Sequence, residues 1–430
     1  MKVLEVKKVD LASFCSLNKS RYPFLLESVN HNENNRYSIL FAFPGKSIVL
    51  NKPSEFDFLQ KLQDDCQSAN LNSWLPFTGG WFVYLSYELI GEIEKTLSSQ
   101  MHESNLPLAY AVKIPSAIII DHKQDKTYVI DKDDDQRRID SILTDIKLLS
   151  KKPTQKISGV QVEEDADKFI SGVEKSLNYI KAGDVFQVNL SRKWLYQLSK
   201  GIGSAEVYNA LKIANPAPFS ALVQYQNFSI ISSSPERLFS VNNNILETRP
   251  IAGTHPRKKG ALDEMQKVNL LNHPKEIAEH VMLLDLERND MGRVCEYGSV
   301  FVNEIMTLET YPFVHHIVSN IKGKLRKKTG IKDIVKALFP GGTITGCPKV
   351  RCMEIISELE QMPREAYTGS VGYISQNGKM DFNILIRSFI HQDDQLSFRA
   401  GAGIVFDSIP EKELAETKYK AEGLLKVFED

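Results

Sequence analysis

The sequence predicts an α+β protein built on large, mainly antiparallel β-sheets. Helix-like and strand-like segments are mixed along the chain, they do not alternate as in a parallel β/α fold, and no internal repeat of fixed period is present. The chain has 430 residues, enough for roughly two to four ordinary domains or for one large interlocked body.

The first third of the chain is predicted to consist of short strands and turns with some helix. The apolar, β-branched residues 116–120 and 127–130 flank a polar turn and predict a β-hairpin. The run 149–158 is polar, rich in lysine and without apolar periodicity, so it predicts a linker. We therefore expect an N-terminal region of residues 1–155 and a C-terminal region of residues 160–430.

Helices and strands are predicted in irregular order after residue 165. Phe169, Val173, Leu177 and Ile180 recur at helical spacing, and Gly183 follows them where a left-handed C-cap is expected. Further helices are predicted at 275–288, 331–338, 350–359 and 411–428, and strands at 185–190, 228–232, 245–248, 370–375 and 382–390.

Composition and charge indicate an ordinary globular protein. Hydrophobic residues make up 42% of the chain and charged residues 25%. The 53 basic and 54 acidic side chains leave a net charge of −1, which argues against general attraction to nucleic acid or anionic membranes. No signal-peptide core and no apolar stretch of membrane-spanning length is present, so a cytoplasmic protein is expected. The five cysteines never occur as C-x-x-C, and we expect reduced thiols and no structural zinc.

The predicted C-terminal helix carries acidic and basic residues along one stripe. Glu413, Glu416 and Lys420 lie at positions i, i+3 and i+7. On an isolated helix this stripe is most simply a solvated surface with one ion pair. The alternative is half of a hard-cation site, with Glu279 of the predicted helix 275–288 as the other half. One carboxylate from each helix would suit Mg²⁺ bound together with an anionic substrate.

Three glycine-rich turns and two isolated residues complete the candidates. The turns PIAGT (250–254), PGGTITG (340–346) and GAG (401–403) either connect strands or offer backbone N–H groups to a carboxylate. Glu236 in SPER and His316 in YPFVHHIVS are each, taken alone, more often structural than catalytic. Walker A, Rossmann, G-x-S-x-G, H-E-x-x-H and glutaminase G-x-C-x-G motifs are missing, which weakens nucleotide-binding, hydrolase and self-contained amidotransferase hypotheses.

In their order along the chain these segments resemble the chorismate-utilising enzymes, a family that includes component I of anthranilate synthase, component I of aminodeoxychorismate synthase, isochorismate synthase and salicylate synthase. The resemblance extends from about residue 165 to residue 428. It rests on eight segments: GDVFQVNLSR, SPERL, TRPIAGT, AEHVMLLDLERNDMGRV, YPFVHHIVS, FPGGTITGCPKVRCMEII, GSVGYIS, and GAGIVFDS followed by ELAETKYKA.

The resemblance implies a fold and a site. It implies one interlocked body in which two large antiparallel sheets face each other, helices lie outside, and chorismate and Mg²⁺ lie between the sheets. By motif, Glu279, Glu413 and Glu416 would serve the metal, and Glu236 would be the general acid that protonates the departing 4-hydroxyl. The remaining assignments are Tyr373, Arg387, Gly401, Ala402, Gly403 and Thr345 for substrate binding, and His316, Lys420, Gln187, Ala252 and Thr254 for the catalytic group.

Gln187 bears on the nucleophile. Isochorismate and salicylate synthases resemble this chain but place a lysine, the base that activates water, at this position. A glutamine side chain cannot take a proton. Addition of water is therefore disfavoured, and an amine nucleophile is expected.

The residue at position 252 and three other features bear on where the amine attacks. Many aminodeoxychorismate synthases carry a lysine within PIKGT that attacks the ring covalently; here the residue is Ala252, as in anthranilate synthases. Direct attack by ammonia at C2 or C4 remains. FPGGTITG, NPAPFSA and the short N-terminal region resemble the aminodeoxychorismate synthases. We therefore expect amination at C4, on the folate route to 4-aminobenzoate, with amination at C2 to anthranilate as the alternative.

The resemblance also implies partners. Ammonia would come from a separate glutaminase subunit, since this chain has no glutaminase motif. Residues 25–28 resemble the family's tryptophan-pocket signature, and Leu26, Glu27, Ser28, Pro218 and Phe219 are the predicted pocket residues. A non-catalytic regulator of the same fold that binds chorismate or tryptophan is a further alternative, which the presence of all three predicted metal carboxylates disfavours.

Overall fold

A computed structural model of the chain describes residues 1–30, 35–66, 73–149, 157–310 and 314–429, without the side chains of Thr254, Pro256 and Lys275. Most of the predicted linker and residues 311–313 of the YPFVHHIVS segment lie outside these ranges. The strands within them are β1 (Lys2–Val6), β2 (Phe24–Glu27), β3 (Tyr37–Ala42), β4 (Ser47–Leu50), β5 (Gly80–Leu85), β6 (Ala109–Ile114), β7 (Ser116–Asp121), β8 (Lys126–Asp131), β9 (Gly159–Glu163), β10 (Gln187–Leu198), β11 (Phe219–Tyr225), β12 (Phe228–Ser234), β13 (Arg237–Asn242), β14 (Ile245–Thr248), β15 (Ile251–Pro256), β16 (Phe301–Thr310), β17 (Val314–Lys324), β18 (Gly346–Cys347), β19 (Ser370–Ser375), β20 (Met380–Asn383), β21 (Ser388–Gln392) and β22 (Gln395–Ile404).

These strands form two sheets, and every strand pairing in the described ranges is antiparallel. Sheet 1 runs in the order β1-β8-β7-β3-β2-β11-β12-β21-β22-β10-β18, and β9 pairs with β10. Sheet 2 runs β15-β17-β14-β13-β20-β19-β5-β6-β4, and β16 pairs with β17.

The two sheets face each other across an aromatic core. Phe24 and Phe41 of sheet 1 meet Phe82 and Tyr110 of sheet 2, and all four side chains are buried. The rings of Phe24 and Phe82 stack with centroids 4.1 Å apart. Since successive residues of a strand point to opposite faces, these contacts fix which face of each sheet is internal. The predicted arrangement of two facing antiparallel sheets is confirmed.

Helices lie on the outer faces of the sheets, also as predicted. Phe14, Tyr208 and Leu424 belong to one outer core against sheet 1, and Ile334 and Ile355 belong to another that includes strands of both sheets. The helices in the described ranges are α1 (Leu11–Leu17), α2 (Phe58–Asp65), α3 (Ile90–Ile93), α4 (Gln136–Leu148), α5 (Ala166–Ala182), α6 (Ser204–Ala214), α7 (Ala261–Asn272), α8 (Pro274–Gly292), α9 (Ile331–Leu338), α10 (Lys349–Glu360) and α11 (Pro410–Leu425), with short 3₁₀ turns at Tyr87–Leu89, Lys95–Gln100, Gly342–Ile344 and Lys426–Phe428.

Strands from the first 131 residues enter both sheets. In sheet 1, β2 lies between β3 and β11, and in sheet 2, β5 lies between β6 and β19. Both sheets are therefore completed only by strands from both ends of the chain. None of the helices in the described ranges is long and apolar enough to cross a membrane. The five cysteines, all within those ranges, form no disulfide.

Most of the predicted elements are confirmed. The hairpin is β7 and β8, joined in register from Ser116↔Asp131 to Asp121↔Lys126. Helix α5 ends at Gly183, whose φ of +84° is the left-handed conformation expected of a C-cap. The predictions at 331–338 and 370–375 match α9 and β19.

The strand predicted at 382–390 is wrong in one respect, because two strands occupy this stretch. β20 belongs to sheet 2 and β21 to sheet 1, so the chain crosses between the sheets at residues 384–387. A second crossing joins β12 of sheet 1 to β13 of sheet 2 through Pro235 and Glu236. The two crossings lie side by side, since the Ile384 N–H donates to the Glu236 carbonyl at 3.0 Å. They bring Glu236 and Arg387 together between the sheets.

Candidate functional site

Glu236 is held in the connection between β12 and β13, where it is almost fully buried. The Thr343 hydroxyl donates a hydrogen bond of 2.8 Å to its Oε1 atom. Burial raises the pKa of Glu236 to about 8, and the nearby Glu287 carboxyl raises it as well, whereas Thr343, the Ile251 backbone and Lys420 lower it. Near neutral pH this carboxyl is therefore mostly protonated and can donate a proton.

Arg387 lies beside this carboxyl, and His316 lies beside Arg387. Arg387 lies on the crossing at residues 384–387 with a φ of +51°, and within the described ranges its guanidinium forms no hydrogen bond or ion pair. Burial lowers its pKa, and the charge of Glu236 raises it. Burial also lowers the pKa of His316, on β17, to about 3, with Arg387 adding to the effect, so the imidazole is neutral. A cation without a protein partner suits the carboxylate of a ligand.

A cluster of carboxylates lies on α8 and α11. Burial raises the pKa of Glu279, and the negative charges of Glu276 and Glu416 raise it further, while Lys420 lowers it. Lys420 also forms an ion pair of 2.7 Å with Glu416. The predicted stripe on the C-terminal helix therefore faces Glu279 rather than open solvent alone, and Glu413 on the same helix is buried.

Lys420 connects the two groups of acids. Burial lowers its pKa, but Glu416, Tyr367 and Glu279 raise it by more, so the net pKa is raised and the ammonium stays charged. The same ammonium lowers the pKa of both Glu236 and Glu279. Glu236, Lys420 and Glu279 thus belong to one site.

Gln187, at the start of β10, orients Glu279. Its Nε2 donates to Glu279 Oε1 at 2.9 Å, and its own buried Oε1 has no hydrogen-bond partner in the described ranges. Gly403 on β22 faces this pair: a Cβ there would lie 2.3 Å from Gln187 Nε2 and 3.6 Å from Glu279 Oε1. Only glycine leaves room for the amide and the carboxylate to meet.

Gly401 lies two residues before Gly403 on β22, and Tyr367 lies beside it. A Cβ on Gly401 would lie 2.7 Å from Asn189 Oδ1 and 2.8 Å from the Tyr367 hydroxyl. Tyr367 is buried, and its electrostatic neighbours include Lys420. The sequence analysis did not single out Tyr367. Ala402, between the two glycines, points away into a hydrophobic core.

Tyr373 is the predicted substrate-binding side chain that the structure does not bring to this site. It lies on β19, its ring contacts those of Phe41 and Phe77, and it lines a different cavity. Tyr367 is only six residues earlier in the sequence but lies before β19. The alternating side-chain directions of that strand therefore do not determine where its side chain points. Tyr367, an electrostatic neighbour of Lys420, is therefore the tyrosine that the structure places at this site.

The remaining predicted site residues lie within a turn and within paired strands of the fold. Thr345 is fully buried, and its hydroxyl donates to the Gly341 carbonyl at 2.9 Å within its own turn. Ala252, on β15, is buried and pairs with Ile317 of β17. Thr254 pairs with His316 on the same two strands, and its side chain lies outside the described part of the structure.

The carboxylates of α8 and α11 provide only part of the ligand set of a hard cation. No group of three or more His, Cys, Asp or Glu residues in the described ranges is placed to hold one metal ion. Glu279 and Glu416 are nevertheless electrostatic neighbours: burial is the main cause of the raised pKa of Glu279, and the charge of Glu416 raises it further. Mg²⁺ commonly takes one or two protein carboxylates and completes its shell with water and substrate oxygens. These two residues fit that pattern.

The five predicted regulatory residues do come together in a second cavity. This cavity has a volume of about 290 Å³ between β2 and β19, and Leu26, Glu27, Ser28, Pro218, Phe219, Tyr373, Arg237 and Asp381 are among its lining residues. The Glu27 carboxylate accepts a hydrogen bond of 2.7 Å from the Tyr208 hydroxyl. Arg237 is fixed by Asp381 at 2.9 Å and lies over the Phe219 ring, 4.9 Å from its centroid. The cavity is therefore lined by both apolar and charged side chains.

Comparison with known proteins places the chain among characterised relatives. A family model described as chorismate binding enzyme matches residues 22–426. The chain is 40% identical over 432 residues to an anthranilate synthase component I-like protein of Synechocystis sp., covering 96% of this chain and 86% of that protein. It is 40% identical over 366 residues to aminodeoxychorismate synthase component 1 of Bacillus subtilis (strain 168), covering 82% and 77%. The crystal structure of anthranilate synthase component I from Streptococcus pneumoniae TIGR4 matches with a TM-score of 0.81 and 32% identity over 92% of this chain and 93% of that chain.

Proposed function

The chain belongs to the family of chorismate binding enzymes, and we propose that it replaces the 4-hydroxyl group of chorismate by an amino group, as component I of an aminodeoxychorismate synthase. The observation that carries this proposal is the buried Glu236 carboxyl, whose pKa of about 8 keeps a proton available for a leaving hydroxyl. Gln187 supports an amine rather than water as nucleophile, because its amide cannot deprotonate water.

Arg387 and Lys420 are the proposed anchors for the two carboxylates of the substrate. Arg387 would bind the enolpyruvyl carboxylate, since its guanidinium has no partner in the described ranges and lies beside Glu236. Lys420 would lie by the ring carboxylate, near Glu279. Tyr367 would donate a hydrogen bond to the substrate from the Gly401 side. Held at both ends, the ring would present its C4 hydroxyl to Glu236.

In the proposed step Glu236 gives its proton to the 4-hydroxyl, the C4–O bond breaks and water leaves. The nitrogen of ammonia forms the new C4–N bond with its lone pair and afterwards loses a proton, so that the protein returns to its starting protonation state. Chorismate and ammonia are thereby converted to 4-amino-4-deoxychorismate and water. Burial of Glu236 limits exchange of its proton with bulk solvent before substrate binds.

Mg²⁺ is part of the proposal because the acids of α8 and α11 fit it. Glu279 and Glu416 would hold the ion, Glu413 would support Glu416 on the same helix, and Gln187 would keep the Glu279 carboxylate oriented. When bound, the ion supplies positive charge to the ring carboxylate. The Glu416→Gln variant should lose turnover and also lose heat of Mg²⁺ binding in a calorimetric titration. Unaltered turnover would count against this metal assignment.

Amination at C2 is the second candidate, and one residue favours it. Ala252 replaces the lysine that attacks the ring covalently in many aminodeoxychorismate synthases, and its buried methyl group offers no nucleophile. Direct attack by ammonia is then the remaining route, and it is open at C2 as well as at C4. Attack at C2 with departure of the 4-hydroxyl as water, followed by loss of the enolpyruvyl group as pyruvate and of the C2 proton, would give anthranilate.

A product assay separates the two candidates. The protein is incubated with chorismate, Mg²⁺ and ammonium, with and without an added aminodeoxychorismate lyase. We expect 4-aminobenzoate only when the lyase is present. Anthranilate fluorescence without the lyase would overturn the C4 assignment in favour of C2. A protein that binds chorismate but forms neither product would match the non-catalytic regulator, which the intact set of acids makes the weakest alternative.

The ammonia source and the second cavity complete the proposal. Ammonia would be delivered by a separate glutaminase subunit, so glutamine should replace ammonium only after that subunit is added. The cavity around Leu26 and Phe219 would bind tryptophan, because apolar side chains and the carboxylates of Glu27 and Asp381 line it. Calorimetric titration with tryptophan should give saturable heat. No heat would remove the tryptophan assignment without affecting the amination.

A further inference from the structure

A second buried carboxyl lies next to the proposed general acid. Glu287 is on α8, eight residues after Glu279, and is only 5% exposed. The reaction as proposed above gives it no role. A buried carboxyl that is neither paired with a cation nor exposed costs stability, so its contacts define what it does there.

Glu287 is linked to Glu236 through one short turn. The Gly342 N–H donates to Glu287 Oε1 at 3.4 Å, and the Thr248 hydroxyl donates to Glu287 Oε2 at 3.1 Å. The next residue, Thr343, donates to Glu236 Oε1 at 2.8 Å. Glu287 therefore holds the residue that precedes the hydrogen-bond donor of Glu236.

Glu236 and Glu287 have different charged neighbours. Glu236 faces Glu287 on α8, Lys420 on α11 and Arg387 on the crossing at residues 384–387. Glu287 faces Lys349 and Asp290, which are themselves joined by an ion pair of 2.5 Å. Burial raises the pKa of Glu287 to about 7. When Glu287 is ionised, its charge opposes ionisation of Glu236.

We propose that Glu287 is a positioning residue for Glu236, which fixes the Gly342–Thr343 turn by a hydrogen bond and keeps the proton on Glu236 by its negative charge. This inference rests on the proposed function, in which Glu236 is the acid. It adds a residue that touches neither substrate nor metal and acts through another side chain. Its signature is a change in the pH dependence of Glu236 rather than a uniform loss of activity.

The first experiment compares pH profiles of kcat for the wild type, Glu287→Gln and Asp285→Asn at a constant concentration of free ammonia. The Glu287→Gln side chain keeps an acceptor for the Gly342 N–H but removes the charge. Its descending limb should move to lower pH, so that the ratio of kcat at pH 7 to kcat at pH 8.5 rises about threefold. Asp285→Asn removes an exposed carboxylate from the same helix and should leave the profile unchanged. An unchanged profile for Glu287→Gln would overturn the inference.

The second experiment does not use turnover. The difference in unfolding free energy between the wild type and Glu236→Gln, followed against pH, reports the pKa of Glu236 in the folded protein. The same difference measured in the Glu287→Gln background should show a lower pKa. If Glu287→Gln does not fold, Thr248→Val replaces it, since loss of that hydrogen bond keeps Glu287 neutral to higher pH and shifts Glu236 in the same direction. No shift in the folding variant contradicts the inference even when amination is observed, whereas absence of amination with an intact shift contradicts only the proposed function.

Discussion

Thr343 donates a hydrogen bond of 2.8 Å to Oε1 of the buried Glu236. The acceptor oxygen of a protonated carboxyl is the one without the proton, so this contact favours the proton on Oε2. Thr343 itself lies in a glycine-rich turn that the sequence offered only as a possible carboxylate-binding loop. The turn instead orients the proposed acid.

Removing that donor should misorient the acid. In Thr343→Val we expect kcat to fall by about ten- to a hundredfold with little change in KM for chorismate, because substrate binding does not use Thr343. Thr343→Ser keeps the hydroxyl and should retain most of the activity. Steady-state kinetics of both variants checks this, and equal losses in valine and serine variants would show that the hydrogen bond is not the cause.

Ionisation of Glu236 should destabilise the fold. Its pKa is about 8 in the folded protein against an ordinary value of 4.5, so the folded state binds more protons between these pH values. The free energy of unfolding must therefore fall as pH rises from about 4.5 to about 8, by an amount on the order of 2–4 kcal/mol from this group. Glu236→Gln lacks this loss. Denaturant unfolding at pH 5 and pH 9 should show the variant gaining stability relative to wild type at the higher pH, and a constant difference would contradict the raised pKa.

A methyl group at Gly403 should disturb the metal side of the site. In Gly403→Ala the new Cβ would lie 2.3 Å from Gln187 Nε2 and would push the amide away from Glu279. We expect kcat/KM to fall about tenfold or more and Mg²⁺ affinity to weaken, with a stability cost of about 1–3 kcal/mol. Gly292→Ala is the matched control, because nothing lies within 4 Å of a Cβ there. Equal kinetics for the two variants would exclude a special role for Gly403.

The two tyrosines should separate substrate binding from the second cavity. Tyr367→Phe should raise KM for chorismate about five- to tenfold, the effect of one lost hydrogen bond, and leave tryptophan binding unchanged. Tyr373→Phe should leave KM unchanged and alter only tryptophan binding, since its ring lines that cavity. Kinetics and calorimetry on the same preparations decide, and the reverse outcome would restore the assignment made from the sequence.

Much of the fold followed from local patterns, and the failures have specific causes. The hairpin β7–β8, helix α9 and strand β19 follow from apolar periodicity, which sheet pairing and helix packing enforce. The stretch 382–390 is uniformly apolar enough to read as one strand. Nothing local indicates that its two halves join different sheets, because that depends on strands more than a hundred residues away.

The site residues likewise divide into those that the sequence predicted and those that it did not. The order of the motifs predicted Glu236, Arg387, Lys420 and Glu279 as site residues, and the structure brings these residues together. Tyr373 was predicted and Tyr367 was not singled out; Tyr373 lies on β19 and lines the second cavity, whereas Tyr367 precedes that strand. Glu287 had a usable signal: it follows the buried His280 by seven residues and therefore shares its helix face. A carboxylate on a face that also carries a buried histidine is a candidate for an internal role.

The crossing at residues 384–387 connects the lining of the second cavity to the proposed reaction site within one short piece of chain. Asp381 and Asn383 line the cavity beside Phe219, and Arg387 lies only four residues beyond Asn383 in the proposed reaction site. A molecule that displaces β20 in the second cavity would pull on the guanidinium in the reaction site over a tether of about one nanometre. Communication between the second cavity and the reaction site would then require no rearrangement of subunits, and a single protomer would suffice to transmit it.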